Sequence, residues 1–288
     1  MSQQSLLKLV ILTGLALIAF AANSVLSRLA LDSNAIDAAS YTIVRLVSGA
    51  AALAVILSLS RRRSDQPSPK GSWLASFMLF LYAVAFSYAY LTLETGTGAL
   101  ILFGSVQITM ILLSIYSGAR VHLTEWVGIS IAFAGFLYLV IPNVSTPSLT
   151  GFVLMTVSGI AWGVYTLQGR GSKNPLSDTT YNFVRTTPFV IILAIFALNN
   201  ASYSTYGVTL AILSGTLASG VGYTIWYSAL TQLKSTQAAV LQLLVPVIAA
   251  LGGVIFVSEP ITLRLFISGI LVLGGVLVVI MGKSYWAK

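Results

Sequence analysis

The sequence predicts an all-α membrane protein: ten transmembrane helices in two inverted five-helix repeats, with both termini cytoplasmic. Three observations carry that prediction. Hydrophobic residues make up 57% of the chain and charged ones only 8%, and the apolar residues lie in runs of about 20, the length that crosses a bilayer as a helix. Residues match at a constant offset of 140 along the chain, Arg45 with Arg185 foremost. Basic residues gather in alternate connections, as the orientation rule for membrane helices expects. The alternating segments of about ten residues that mark a transmembrane β-barrel are missing.

The first span is read at 6–28. Lys8, the apolar run and "AFA" at 19–21 could pass for a cleavable signal peptide. Removing the segment would leave nine spans and break the repeat, so it is expected to be retained. Asn23 is its mid-span polar residue. The second span, 37–59, holds Arg45 four residues after Tyr41. The third, 72–92, sets Tyr82, Phe86 and Tyr90 on one face by their i, i+4 spacing. The fourth, 97–118, contains Gln107, and the fifth, 123–141, carries Gly128 and Gly135. The sixth, 149–169, includes Trp162 and Tyr165. The seventh, 178–198, repeats the second, with Asp178 at its start and Tyr181, Asn182 and Arg185 after it. Tyr223, Trp226 and Tyr227 cluster in the eighth, 207–231. The ninth, 236–257, has Gln242, a mid-helix Pro246 and the pair Gly252 and Gly253; the tenth, 262–282, has Gly269 and Gly275.

The offset of 140 also pairs Asn34 with Asn174, Tyr41 with Tyr181, Ala89 with Ala229, Ile108 with Ile248, Phe86 with Trp226 and Gly135 with Gly275. A constant offset through loops and helices indicates duplication of a five-span unit, 1–143 and 144–288. Five is odd, so the second copy enters the membrane from the opposite side. In secondary transporters, the substrate site lies where such inverted copies meet near the midplane. With the amino terminus inside, the cytoplasmic segments hold Lys8, Arg61, Arg62, Arg63, Lys70, Arg120, Arg170, Lys173, Lys234, Lys283 and Lys288, and the outside segments only Arg28 and Arg264.

The net charge of +8 is therefore mostly an orientation signal, and its scatter over short loops argues against nucleic acid as a partner. With no cysteine, disulfides, thiolate metal sites and a cysteine nucleophile are excluded. His122 is isolated, and GxSxG, HExxH, paired intramembrane aspartates and a phosphate-cradling loop are all missing. Neither an enzyme, a cofactor, a metal site nor direct use of ATP is expected. None of the seven acids falls in mid-span, so no carboxylate stands out as a proton carrier. The sequons "NVS" at 143–145 and "NAS" at 200–202 fall on outside loops and read as coincidence.

A charge in hydrocarbon is disfavoured by about 3 kcal/mol, so Arg45 and Arg185 need a reason. Each could attract a substrate carboxylate, with paired guanidinium donors suited to a planar anion. Each could instead snorkel to the headgroups, bond the tyrosine one turn back, or, for Arg185, pair with Asp178, which makes the three a gating or structural set. Tyr82 and Phe86 on one side, and Trp162, Tyr165, Tyr223 and Trp226 on the other, could form the walls of an apolar pocket or simply pack the bundle. The amides of Asn23, Gln107, Asn182 and Gln242 could bond a zwitterion, or one another across helices.

The stretch "STQAAVLQLLVPVIAALGGVIFVSEPITL" at 235–263, with Pro246, Gly252, Gly253 and Ser258-Glu259-Pro260, and "GIAWGVYTLQGR" at 159–170 resemble the drug/metabolite transporter superfamily, in particular its ten-span EamA-type members. The likeness runs over about 6–282, with Val106 and Ala119 where the first half would repeat the proline and glutamate. Aromatic amino-acid exporters look most similar. The resemblance implies a secondary transporter in a bacterial inner (plasma) membrane, exporting small neutral amino acids, aromatic or aliphatic, and related metabolites by alternating access. Its partners are then that small-molecule substrate and the lipid bilayer. The first four helices of each repeat would line the path and the fifth would buttress it. A carrier of phosphorylated or nucleotide-linked metabolites, with both arginines as an anion clamp, and a non-transporting receptor or lipid-handling protein are the alternatives.

Overall fold

The computed structural model describes residues 3–61, 71–116, 123–140, 147–169, 172–197, 199, 201–230, 233 and 241–286. Arg62, Arg63, Lys70, Arg120, His122, Arg170, Lys234, Lys288 and the asparagines of both sequons lie outside the described residues. The described residues form ten helices: α1 (Gln3–Asp32), α2 (Ala38–Arg61), α3 (Trp73–Ala89), α4 (Thr95–Tyr116), α5 (Leu123–Val140), α6 (Leu149–Gly169), α7 (Pro175–Ala197), α8 (Thr205–Ala229), α9 (Leu244–Val257) and α10 (Leu263–Trp286). Six of them, α1, α2, α4, α6, α7 and α8, are long and apolar enough to cross a membrane; α3, α5, α9 and α10 carry shorter apolar stretches.

Local chemistry sets the ends. Ser72 caps α3 by accepting from Ala75 N, Ser204 caps α8 by accepting from Gly207 N, and Asn174 caps α7 by accepting from Ser177 N, with Pro175 in the first turn where its missing N–H costs nothing. Past the end of α1, Asn34 takes a left-handed φ of 51°, and Ala35 N returns to Ala30 O at 3.1 Å. Three interruptions were not expected. Helix α7 breaks at Thr186, because Pro188 has no N–H for the Val184 carbonyl; Thr187 Oγ1 donates to that carbonyl instead, at 2.6 Å. Helices α8 and α9 each contain a π-helical stretch, Ser214–Val221 and Gly253–Val257.

Helix α3 packs on α6 and α8 on α1; α4 packs on α6 and α9 on α1; α2 packs on α8 and α7 on α3. Helices α2 and α7 also meet, as do α5 and α10. Exchanging every helix for the one five places on leaves this pairing unchanged. The α5–α10 pair meets the rest at α4 and closes on small residues: a Cβ at Gly128 would lie 2.5 Å from the Gly275 carbonyl oxygen. Gly269 faces an apolar groove shared with α4 and α9.

Polar side chains are buried beside the apolar core, and many large apolar ones face outward. Thr13, Asn23, Ser24, Ser27, Thr42 and Arg45 are buried, whereas Val10, Ile11, Phe133, Ile195, Phe196 and Phe256 are exposed. That distribution suits a lipid solvent, in which apolar burial gives no drive and close packing with internal hydrogen bonds must hold helices together.

Candidate functional site

The rings expected at the pocket converge on Trp162 of α6. Its ring centre lies 4.8 Å from Tyr82, 5.0 Å from Tyr223 and 5.2 Å from Tyr165, which stacks on it. Tyr82 lies 5.4 Å from Phe86, one turn further along α3. Phe20 of α1 completes the ring set at 5.8 Å from Tyr223 and 5.6 Å from Trp226. Between them remains a cavity lined by Phe20, Asn23, Tyr82, Phe86, Trp162 and Tyr223, with Leu102 and Phe103 of α4 as its floor. Its volume of about 10 Å³ holds about one water molecule. The chamber is thus closed upon itself, and a cargo enters only if the rings part.

Arg45 abuts this chamber. Seven residues into α2, or about 10 Å along its axis, it is 1% exposed, so it does not snorkel. Its Nη2 donates to Tyr82 Oη at 2.8 Å, and its guanidinium lies 5.2 Å from the Tyr82 ring centre and 4.9 Å from that of Phe86. Nη1 has no hydrogen-bond partner among the described residues. Arg28 pairs with Asp32 and with Glu259, whereas Arg45 has no acid partner among the described residues. The titratable groups around it are Tyr41, Tyr82 and Tyr223. Tyr41, one turn back, accepts from Ser27 Oγ at 2.8 Å. A buried cation with no acid partner among the described residues carries an effective penalty of several kcal/mol.

Arg185 sits elsewhere. It is half-buried over the ring of Trp73, 5.5 Å from its centre, and Trp73 lies nine residues, about 13 Å, along α3 from Tyr82. The two arginines therefore do not close on one anion. Asp178 accepts from Gly71 N at 2.8 Å and from Ser172 Oγ, partners other than the arginine expected for it.

Of the four amides, only Asn23 borders the cavity, and its Oδ1 accepts from Ser214 Oγ at 2.7 Å and Ser219 Oγ at 3.4 Å. Gln107 Nε2 donates to Gln242 Oε1 at 3.4 Å, which turns both inward upon each other between α4 and the start of α9. Asn182 accepts from Ser72 N at 2.9 Å. Trp226 stands behind Phe20 and Tyr165 behind Trp162, backing the wall without lining it. Phe20 was not foreseen, because a lone aromatic in α1 lacks the i, i+4 partner that singled out the others.

The chamber is tied shut at both ends. On the side of the α1–α2 and α9–α10 connections, Glu259 accepts from Arg28 Nε at 2.8 Å and from Thr95 N at 2.7 Å, while Arg28 Nη1 donates to Tyr90 O at 3.1 Å. Gly253 makes room for that carboxylate. Beside it, Asp37 accepts from Ser40 N and Ser202 N, both at 2.9 Å, and Ile36 bridges to Tyr203. Burial raises the Asp37 pKa, but hydrogen bonds from Ser40, Ser202 and Ala39 outweigh it and hold the carboxyl below its ordinary value. At the opposite end, Asp178 and Asn182 hold the start of α3 through Gly71 and Ser72.

Comparison with known proteins adds the following. The model of the EamA-like transporter family matches residues 149–281. The uncharacterized protein PA1977 of Pseudomonas aeruginosa is 47% identical over 270 residues, 94% of this chain and 93% of that one. The threonine/homoserine exporter RhtA of Escherichia coli (strain K12) is 29% identical over 178 residues, 59% of this chain and 57% of its own. One crystal structure superposes with a TM-score of 0.62 at 17% identity, over 96% of this chain and 99% of the other; at that identity the likeness concerns the fold.

Proposed function

This chain belongs to the EamA-like transporter family, and from that premise we propose that it exports small neutral amino acids, aromatic or aliphatic, and related metabolites through the aromatic chamber. It is a secondary transporter. The observation that carries the substrate class is Arg45: a buried guanidinium with one nitrogen unbonded and no acid partner among the described residues, set against rings that suit an apolar side chain. A carboxylate would take two parallel N–H donors there. The partial likeness to a threonine/homoserine exporter points the same way.

Alternating access would proceed by parting one tied end at a time, the Arg28–Glu259 and Asp37 ties on one side, the Asp178 and Asn182 ties on the other. The helix pairing that survives exchange of the halves supports reading 1–143 and 144–288 as inverted copies. A phosphate carrier is less favoured, since Arg185 stacks on Trp73 and leaves Arg45 as a single cation at the chamber.

Counterflow into proteoliposomes tests the substrate class. Preloaded vesicles are expected to take up at least one labelled aromatic or aliphatic amino acid above the level of empty vesicles, and sugar phosphates not at all. Uptake equal to empty vesicles for every amino acid would end the proposal.

A further inference from the structure

We propose that the chamber also takes aromatic monocarboxylates that lack an amino group, and holds them more tightly than the corresponding amino acids. The inference rests on the reading of this chamber as the transport site, and it comes from asking where each end of a zwitterion would go.

The carboxylate end has a place. Arg45 Nη1 is buried and unbonded, and the charge of its guanidinium is unmatched by any acid among the described residues. The ammonium end meets no acid among the described residues, and only the faces of Phe20, Trp162 and Tyr223, which an aromatic body would itself cover. No Asp or Glu lines the cavity, and the one amide oxygen that does, Asn23 Oδ1, already accepts from Ser214 and Ser219. The ring faces of Tyr82 and Phe86, which could hold a cation, already lie against the guanidinium. Tyr82 Oη is engaged by Arg45 Nη2.

Charge balance gives the same answer. A monoanion in the chamber cancels the formal charge of Arg45. A zwitterion leaves that charge uncancelled and adds an ammonium that has lost its hydration shell without gaining a carboxylate. The rings of Phe20, Trp162 and Tyr223 remain free to sandwich an aromatic body. An arylalkanoate or an aromatic 2-oxo acid thus meets everything the chamber offers and nothing it lacks.

Calorimetric titration of the purified full-length protein with 3-phenylpropanoate, phenylalanine and phenylalaninamide separates the possibilities. The first differs from the second only in lacking the amine, and the third lacks the carboxylate. The expected result is 3-phenylpropanoate binding at least about tenfold more tightly than phenylalanine, a difference of about 1.4 kcal/mol, with phenylalaninamide unbound and both acids lost in Arg45→Gln. Phenylalanine binding as tightly as 3-phenylpropanoate, or alone, overturns the inference and leaves the amino-acid reading intact. Binding of 3-phenylpropanoate alone sustains the inference and removes phenylalanine from the amino-acid reading. Silence from all three in a folded protein removes both.

Discussion

Arg45→Gln is expected to reduce substrate binding and transport by about 10- to 100-fold, the loss of a charge-assisted hydrogen-bonded contact of about 1.5–3 kcal/mol, while leaving the fold as stable as before or more so. The two halves of that expectation come from one fact. Breaking a buried ion pair leaves its partner stranded and costs about 3–5 kcal/mol, but Arg45 has no carboxylate to strand among the described residues. Removing it relieves an uncompensated charge and costs the fold one hydrogen bond to Tyr82 and the stacking on Phe86. Arg45→Lys keeps the charge without the planar fork, so it is expected to retain part of the binding. Thermal unfolding in detergent beside a binding titration reads both halves. A large drop in melting temperature with binding unaffected would make Arg45 a structural residue.

Gly215→Ala has the second large effect, this time on the fold. A Cβ on Gly215 would fall on the carbonyl oxygen of Arg45 and on Ser48 Oγ, so α8 and α2 touch backbone to backbone where α8 enters its π-helical stretch. Backbone cannot swing aside as a side chain does, and overpacking of this kind costs about 1–3 kcal/mol or more. The variant is expected to melt well below the parent and to be recovered in low yield. Gly14 is the control: a Cβ there meets nothing within 4 Å, so Gly14→Ala should be neutral or raise stability by about 0.5–1 kcal/mol. Equal melting temperatures for parent and Gly215→Ala would mean that the α2–α8 seam is looser than drawn.

The ten helices were legible because hydropathy and charge report the bilayer directly, whatever the tertiary packing. The interruptions were not. Pro188 lies in plain view in the seventh span, yet whether a proline bends a helix depends on what replaces the lost hydrogen bond, here the hydroxyl of Thr187. The run "SGTLASGVG" at 214–222 signals close approach by its small residues, but nothing in it specifies a π-helical register. At the site, i, i+4 spacing found Tyr82 and Phe86, and the repeat offset pointed to Trp226, whereas spacing left open whether Gln107 and Gln242 face a substrate or bond across helices, and the structure shows the bond between them. The repeat also suggested that Arg45 and Arg185 share a role. Their surroundings differ: Tyr82 and Phe86 face one, Trp73 the other.

The central claim is that the closed chamber around Trp162 opens to water and takes the cargo. The chain contains no cysteine, so a single Leu102→Cys at the chamber floor gives one thiol to follow in native membranes. The account predicts modification by a small charged thiol reagent, slowed by 3-phenylpropanoate or by a transported amino acid. A thiol untouched from either side of the membrane, or modified at the same rate with every substrate present, would contradict it.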